Sequence, residues 1–189
     1  MTTDPAPYLT TVATVLQAAA FAAERHRKQR RKGADADPYI NHPLGVAALL
    51  ASVAHMMAPD VLIAALLHDT VEDTETTTEE LERLFGSRVR DLVAELTDDK
   101  ALPKAERKRR QAEHVPGFSA EAKLIKLADL ASNVAELIQR PPKAWSLDRK
   151  REYLEWQERV AAGCRGANPA LERHLAKTVE EAREALGAK

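Results

Sequence analysis

Residues 59–73 read PDVLIAALLHDTVED, and this stretch decides the fold of the chain. Pro59 suits the first turn of a helix, and the segment from there to Leu67 is apolar on nearly every side. Such a helix is predicted to lie buried in the centre of a domain. An imidazole and three carboxylates follow within six residues: His68, Asp69, Glu72 and Asp73. The stretch therefore predicts a buried helix that carries charged side chains into the interior of the protein.

Helical patterns also fill the sequence on both sides of this stretch. Three threonines, 76–78, are typical of a helix start, and Gly86 is typical of the end of that short helix. No segment alternates β-branched and polar residues in the manner of a strand. Further helices are predicted over residues 8–32, 44–57, 60–74, 87–96, 120–138, 148–162 and 169–186. We predict an all-α fold, and one domain over residues 1–189.

The composition is that of an ordinary globular protein, with 44% hydrophobic and 30% charged residues. The formal net charge is −1, so the chain as a whole has no electrostatic attraction to nucleic acid or membranes. No run reaches the roughly 18 apolar residues of a membrane span, and the N-terminal charges follow the apolar part, the reverse of a secretory signal. A single cysteine, Cys164, excludes an intramolecular disulfide. We expect a cytoplasmic protein without membrane or nucleic-acid partners.

Three separate segments offer side chains that bind divalent metals. His68 and Asp69 lie at the polar end of the apolar run of this helix, where buried charges are unfavourable unless a cation or another partner compensates them. His42 lies in a loop that leads into a helix, and Asp129 interrupts an apolar segment. Each alone has an ordinary explanation: an ion pair at a helix end, a surface histidine before proline, or an aspartate paired with a nearby lysine. Together, two histidines and two aspartates on separate helices favour a metal site.

Four motifs in a fixed order carry a family resemblance. They are YINHP at 39–43, HDTVED at 68–73, TDDK at 97–100 and KLAD at 126–129. In this order they resemble the HD hydrolase domain of RelA/SpoT-type proteins, and above all the stand-alone small alarmone hydrolases, which include the SpoT homologues of animals. The resemblance extends from about Phe21 to about Asn168 and implies an HD-domain helical bundle.

The resemblance also implies an activity, a Mn²⁺-dependent hydrolase that removes the 3′-pyrophosphate from (p)ppGpp, with one divalent metal per site. By motif match, the metal ligands would be His42, His68, Asp69 and Asp129. Glu72 and Asp73 would be the catalytic acids that position and activate water. A site of nitrogen and oxygen donors suits Mn²⁺. The partner would be a small nucleotide substrate, and the oligomeric state stays open.

The substrate contacts that the resemblance implies involve five residues: Arg31, Lys32, Lys104, Arg107 and Asn133. The first two would lie beside the base, where a guanidinium can stack on a ring, and the next two would face the phosphates. The basic runs that hold them, RHRKQRRK at 25–32 and KAERKRR at 104–110, are also typical of solvated helix surfaces. Tyr153 and Trp156 are candidates for lining the cleft, although aromatic residues at helical spacing more often belong to a core.

The chain departs from the family pattern at two positions. The family usually has a basic residue after KLAD and an arginine two positions after the asparagine, where this chain has Leu130 and Ala135. Two cations would therefore be missing beside the substrate, which leaves open a preference for (p)ppApp, NADPH or another phosphorylated nucleotide. A further alternative is a non-enzymatic helical module that binds nucleic acid through residues 25–32.

Overall fold

The computed structural model describes residues 7–33 and 35–187, with side chains from residue 11 onward. These residues form ten α-helices and one short 3-10 helix, and they contain no strand, only an isolated β-bridge between Arg30 and Pro38. The helices are α1 (Pro7–Arg25), α2 (Asn41–Ser52), α3 (Pro59–Leu67), α4 (Thr70–Asp73), α5 (Thr78–Phe85), α6 (Ser87–Leu96), α7 (Lys104–His114), the 3-10 helix (Val115–Gly117), α8 (Ala120–Gln139), α9 (Leu147–Ala162) and α10 (Pro169–Ala185). The all-α prediction is confirmed. The single domain predicted over residues 1–189 includes residues outside the described ranges. This assignment therefore stays a prediction.

Helices α3 and α8 form the centre of the bundle. Helix α3 packs against α1, α2, α6 and α8, and α8 packs against α2, α3, α6, α9 and α10. Every residue from Ile63 to Leu67 is buried, as the apolar pattern of α3 predicted. Every residue of α8 from Leu124 to Ala131 is buried as well. Charged side chains in these segments therefore lie inside the bundle and not on its surface.

The helix predicted over residues 60–74 is interrupted where its charged residues begin. Helix α3 ends at Leu67 and α4 begins at Thr70, so His68 and Asp69 lie at the junction. The hydroxyl of Thr70 donates to the carbonyl of Leu67 (2.7 Å), in competition with the backbone amides that would continue the helix. The backbone of Asp69 has φ −97° and ψ −5°, away from regular helical values. The prediction of one continuous helix was therefore wrong.

The first predicted helix is shorter than expected. Helix α1 ends at Arg25 and not at Lys32, because the residues that follow pair with the chain returning toward α2. The amide of Tyr39 donates to the carbonyl of Gln29 (3.2 Å) at this pairing. The described residues between Arg25 and Asn41 (26–33 and 35–40) thus form a folded segment between two helices, and we call it the α1–α2 loop.

Two other elements differ from the prediction. Helix α2 begins at Asn41, three residues early, so His42 lies in the helix and not in the preceding loop as predicted. It ends at Ser52, five residues early, and His55 just beyond it has a positive φ of 53°. Helix α7 forms in a basic segment for which no helix was predicted, and it packs against α9 and the 3-10 helix. Because Gln111 is its one buried residue among those described, α7 has little hydrophobic periodicity to reveal it. Among the described residues, no helix combines the length and apolar character needed to cross a membrane.

Candidate metal centre and cleft

The four predicted metal ligands meet between α2, α8 and the junction of α3 with α4. Nε2 of His42 lies 3.1 Å from Oδ1 of Asp129 and 3.8 Å from Oδ2 of Asp69. Nε2 of His68 lies 3.1 Å from Oδ2 of Asp69 and 3.9 Å from Oδ1 of Asp129. Each imidazole nitrogen thus approaches both carboxylates. Donor atoms of His42, His68 and Asp69 all lie within 4.8 Å of one another, close enough to hold one metal ion together.

Both imidazoles are buried and are oriented through their other ring nitrogen. Nδ1 of His68 donates to the carbonyl of Ala65 (2.8 Å), and Nδ1 of His42 lies 3.1 Å from the hydroxyl of Ser132. A proton on Nδ1 leaves the lone pair of Nε2 directed into the cluster, as in a metal-binding histidine. The buried Nε2 of His68 makes no hydrogen bond with any described residue. A cation that displaces the proton from this nitrogen would therefore meet no competing hydrogen bond.

Asp129 is a buried carboxylate that two side chains hold from within α8. The ammonium of Lys126 donates to its Oδ2 (3.1 Å), and the amide of Asn133 donates to its Oδ1 (2.6 Å). The side chains of Lys126 and Asp129 are only 7% and 11% exposed, so water screens their attraction little. Burial alone would raise the pKa of Asp129, but the charge of Lys126 holds it well below its usual range. The carboxylate therefore stays ionised.

Asp69 receives a hydrogen bond from the α1–α2 loop, since the hydroxyl of Tyr39 donates to its Oδ2 (2.7 Å). Burial opposes the ionisation of Asp69, but the neighbouring His68 keeps its pKa well below the usual range. Burial likewise lowers the pKa of His68, yet the charge of Asp69 raises it to about 9. A cluster negative enough to hold a proton on a buried imidazole attracts a divalent cation for the same reason.

Glu72 lies one turn beyond the cluster and faces the segment that precedes α7. The backbone amide of Asp98 donates to its Oε2 (3.3 Å), and the guanidinium of Arg107 donates to its Oε1 (3.3 Å). Burial raises the pKa of Glu72 to about 7, and the charges of Asp69 and Asp98 contribute to the same effect. A carboxyl group with a pKa near neutrality can both accept and return a proton at physiological pH.

Asp73 has different surroundings, because both of its oxygens accept hydrogen bonds. The amide of Gln29 donates to Oδ2 (2.7 Å), and the ammonium of Lys100 donates to Oδ1. Charge-assisted hydrogen bonds of this kind fix the orientation of a carboxylate. Glu72 and Asp73 are neighbours in sequence, but Glu72 is suited to proton exchange and Asp73 to holding a ligand in a fixed direction.

A cleft with a volume of about 780 Å³ opens onto this cluster. The buried side chains of His42 and Asp129 line one end of it. The remaining lining includes acidic side chains such as Glu136 and Glu152, but cationic side chains are more numerous: Arg30, Arg31, Lys32, Lys104, Arg107, Lys108, Arg140 and Arg149. The pKa of Lys104 reflects their crowding, because burial and the positive charges of Lys32 and Arg149 lower it. Such a lining attracts a ligand that carries several negative charges.

One wall of the cleft is aromatic. Trp145, Tyr153 and Trp156 line it, with ring centroids 5.2 Å apart in the first pair and 5.6 Å apart in the second. The ammonium of Lys108 lies 4.6 Å from the ring centroid of Trp156, and the guanidinium of Arg149 lies 4.5 Å from that of Trp145. Tyr153 and Trp156 also pack against the hydrophobic core. The two alternatives that the sequence offered for them, core and cleft, therefore both apply.

All five predicted substrate-binding residues line the cleft. They differ in how many hydrogen bonds and ion pairs their side chains already make within the protein. Arg31 donates through Nε to Glu136 (2.6 Å) and through Nη2 to Asn133 (2.7 Å), and Asn133 donates onward to Asp129. Arg107 contacts Glu72, as described above. Among the described residues, Lys32 and Lys104 have no ion-pair partner, so both ammonium groups are free to meet a ligand.

The two departures from the family pattern fall on different surfaces. Leu130 is buried and lines the cleft. Ala135 lines a second groove of about 440 Å³, between α2, α8 and α10. Since 3.6 residues complete one helical turn, position 135 points roughly 200° away from position 133. The expectation that Ala135 removes a cation from the substrate side was therefore wrong, and only position 130 of the two faces the cleft.

Four residues that hold the carboxylates of the site were not among the predicted site residues. Tyr39, Lys100 and Lys126 stand inside the quoted motifs YINHP, TDDK and KLAD, so their positions carried a signal. Gln29 stands inside the basic run at 25–32, where only its lack of charge distinguishes it. Its contact with Asp73 spans 44 positions of sequence, and no local pattern reveals such a contact.

Fold and site together define a class: a helical domain in which paired histidines and aspartates can hold a divalent metal at one end of a cationic cleft. The family model for the HD domain matches residues 18–154, a range that contains all four predicted ligands. The chain belongs to the HD-domain family. The prediction of an HD-domain bundle is thereby confirmed.

Characterised proteins resemble the chain over most of its length. The guanosine-3′,5′-bis(diphosphate) 3′-pyrophosphohydrolase MESH1 of Danio rerio is 52% identical over 163 residues, which cover 86% of this chain and 91% of that protein. The protein of the same name from Homo sapiens is 53% identical over 163 residues, which also cover 86% of this chain and 91% of that protein. A solved structure, described as a metazoan orthologue of SpoT that hydrolyses ppGpp, has a TM-score of 0.87 at 41% identity and covers 95% of this chain and 97% of that one. The resemblance to RelA/SpoT-type hydrolases is confirmed.

Proposed function

We propose that this chain hydrolyses guanosine 3′,5′-bis(diphosphate) and releases pyrophosphate from its 3′ position, with Mn²⁺ as cofactor. Similar proteins carry the name of this activity. One observation carries the proposal: two buried imidazole nitrogens face two carboxylates at the end of a cleft lined with cations. This arrangement supplies a binding place for a metal and a binding place for a polyphosphate.

The four side chains fit a divalent cation that prefers nitrogen and oxygen donors. Two imidazoles and two carboxylates, without a thiolate, suit Mn²⁺ better than a thiophilic metal. A bond to a metal would satisfy the buried Nε2 of His68, which has no hydrogen-bond partner among the described residues. Each of the four ligands has a further hydrogen bond that fixes it, as metal ligands usually do: Asp69 with Tyr39, Asp129 with Lys126, His42 with Ser132 and His68 with the carbonyl of Ala65. When bound, the metal would polarise the phosphoryl oxygens and lower the pKa of a water molecule.

Glu72 and Asp73 divide the handling of the attacking water between them. In the hydrolysis, the water oxygen bonds to phosphorus, the bond from phosphorus to the 3′ oxygen breaks, and a proton passes to the leaving oxygen. The pKa of Glu72, about 7, suits it to take the proton from water and return it to the 3′ oxygen. Asp73, fixed by two donors, accepts a hydrogen bond from the same water through a remaining lone pair and orients it.

The cations of the cleft would bind the phosphates and the base. Lys32 and Lys104 are free to pair with phosphate oxygens. Arg31 already uses its Nε and Nη2 donors on Glu136 and Asn133, so it would meet a base mainly through the flat face of its guanidinium. Its guanidinium carbon already lies 5.3 Å from the ring centroid of Tyr39, within the range of a cation–π contact.

Nucleic-acid binding through residues 25–32 has less support. Arg25 pairs with Glu80, and Arg31 pairs with Glu136. Two charges of the basic run are thus neutralised inside the protein. A nucleic-acid surface needs such charges exposed, because affinity grows with the number of phosphates that are neutralised.

A substrate panel tests the proposal. Purified protein loaded with Mn²⁺ is incubated with ppGpp, ppApp and NADPH at equal concentration, and pyrophosphate and phosphate release are followed by anion-exchange chromatography. We expect ppGpp to be the preferred substrate. Preference for ppApp or NADPH would mean that the proposed substrate is wrong and the class of reaction is right. Inactivity on all three compounds would overturn the proposed function.

Site variants test the roles of individual residues. His68→Ala should lose bound metal and activity together, because it removes one of four ligands. Glu72→Gln should retain metal and lose turnover by about 10²- to 10⁴-fold, the usual contribution of a proton-transfer group. Metal content is measured by mass spectrometry on the same preparations. His174→Ala, which alters a histidine of the second groove, is the control and should change neither quantity. Full turnover by Glu72→Gln would remove Glu72 from the mechanism.

A further inference from the structure

Asp73 is held by a chain of hydrogen bonds that begins at a buried histidine outside the metal cluster. We propose that Gln29 and His26, both in the α1–α2 loop, are positioning residues for Asp73 and so for the water that Asp73 orients. The inference rests on the proposed function and adds to it two residues to which neither the motifs nor the metal geometry assigns a role.

The hydrogen-bond chain has one consistent direction. Nε2 of Gln29 lies 2.7 Å from Oδ2 of Asp73, and Oε1 of Gln29 lies 2.7 Å from Nδ1 of His26. A carboxylate can only accept, so the amide of Gln29 must turn its NH₂ group toward Asp73. Its oxygen then faces His26 and must accept from Nδ1. The geometry therefore places a proton on Nδ1 of His26.

His26 is itself fixed in place. Its side chain is buried, and its ring lies 4.8 Å from the ring of Tyr39 at an angle of 34°. Tyr39 donates to Asp69 and is tied to Gln29 through its backbone amide. The α1–α2 loop thus holds both Asp69 and Asp73, one through the hydroxyl of Tyr39 and the other through the amide of Gln29.

Asp73 needs this support because its own helix orients it weakly. Helix α4 has a single turn, Thr70–Asp73, and Asp73 is its last residue. One helical turn has little stability of its own. The other donor to Asp73 is Lys100, whose long side chain is 48% exposed and therefore free to change rotamer. The side chain of Gln29 is shorter and is hydrogen-bonded to the buried ring of His26. Of the two donors to Asp73, Gln29 is therefore the more rigid.

Replacing Gln29 tests the proposal through the separation of kcat from KM. Gln29→Ala should lower kcat by about 10- to 100-fold, the usual effect of losing an outer hydrogen bond to a functional group, with KM and Mn²⁺ affinity changed by less than about threefold. Gln29→Glu keeps the shape but places a second carboxylate beside Asp73, so the loss should be larger. Gln17→Ala, on the exposed surface of α1, is the matched control and should behave as the wild type.

A double-mutant cycle distinguishes positioning from a general structural effect. If Gln29 acts through Asp73, then adding Gln29→Ala to Asp73→Asn should lower kcat by less than about threefold further. Independent losses that multiply in the double variant would overturn the proposal. An unchanged kcat in both Gln29→Ala and Gln29→Glu would overturn it as well.

The tautomer of His26 gives a test that does not depend on turnover. Two-dimensional ¹⁵N NMR of the imidazole should show the proton of His26 on Nδ1 in the wild type and should show loss of that state in Gln29→Leu. His26→Phe, which keeps a ring against Tyr39 and removes the donor, should reproduce the kcat loss of Gln29→Ala. A proton on Nε2 in the wild type would overturn the proposal. Because this signal is read without substrate, failure of the proposed function and failure of this inference are distinguishable.

Discussion

Replacing Lys126 by methionine tests the electrostatics of the metal centre most directly. The ammonium of Lys126 lies 3.1 Å from Asp129, and the two side chains are 7% and 11% exposed. Methionine fills much of the same space without charge, so the ionised Asp129 would remain buried beside Asp69 with no lysine partner. Removing one member of a buried ion pair costs about 3–5 kcal/mol. Since 1 kcal/mol corresponds to about 2–4 °C for a chain of this size, Tm in EDTA should fall by about 6–20 °C.

Mn²⁺ should reduce this loss, because a metal held by the proposed ligands would be a second positive neighbour of Asp129. Urea unfolding is followed by circular dichroism in EDTA and in excess Mn²⁺, for wild type and variant. The variant should therefore gain more stability from Mn²⁺ than the wild type does. Lys123→Met is the control on the same helix: its ammonium donates to the carbonyl of Pro116 at the surface, and the change should stay within about 0.5 kcal/mol.

Two results would refute this reasoning. An equal loss of stability in EDTA and in Mn²⁺ would mean that no metal binds beside Asp129. A loss in EDTA of less than about 1 kcal/mol would mean that the buried carboxylate does not depend on Lys126 for its compensation.

Three further predictions concern the core, the thiol and the titration of Glu72. Ile125 is fully buried in α8, so Ile125→Ala should lower the free energy of unfolding by about 2–5 kcal/mol in urea titrations; a change below about 1 kcal/mol would contradict its place in the core. Cys164 is buried, and burial raises the pKa of its thiol to about 11, so Ellman's reagent should label it only after denaturation; rapid labelling of the folded protein would contradict this. The folded pKa of Glu72, about 7, exceeds its ordinary 4.5, so the unfolded chain loses this proton first as pH rises. Between pH 4.5 and 7 the stability of EDTA-treated protein should therefore fall with pH more steeply in the wild type than in Glu72→Gln, and equal slopes would exclude the raised pKa.

Positions 130 and 135 show what can be predicted from the sequence alone and what cannot. Both depart from the family pattern, and the motif by itself gives them equal weight. The structure separates them, because Leu130 lines the cleft and Ala135 lines the second groove. The sequence determined that a basic residue was missing at each position, but only the packing of α8 between its neighbours decided which one faces a ligand.

The sequence by itself determined the helical class, the buried character of α3 and α8, and the identity of the four candidate ligands. These are local properties: apolar periodicity reports which face of a helix is buried, and short motifs report residue types at fixed spacing. The tertiary structure decided the junction of α3 with α4 at His68 and Asp69, the convergence of these two side chains with those from α2 and α8, and the contact of Gln29 with Asp73. Those features depend on hydrogen bonds and ion pairs between segments far apart in sequence. Such contacts exist only once the helices have packed, and no local pattern of residues encodes them.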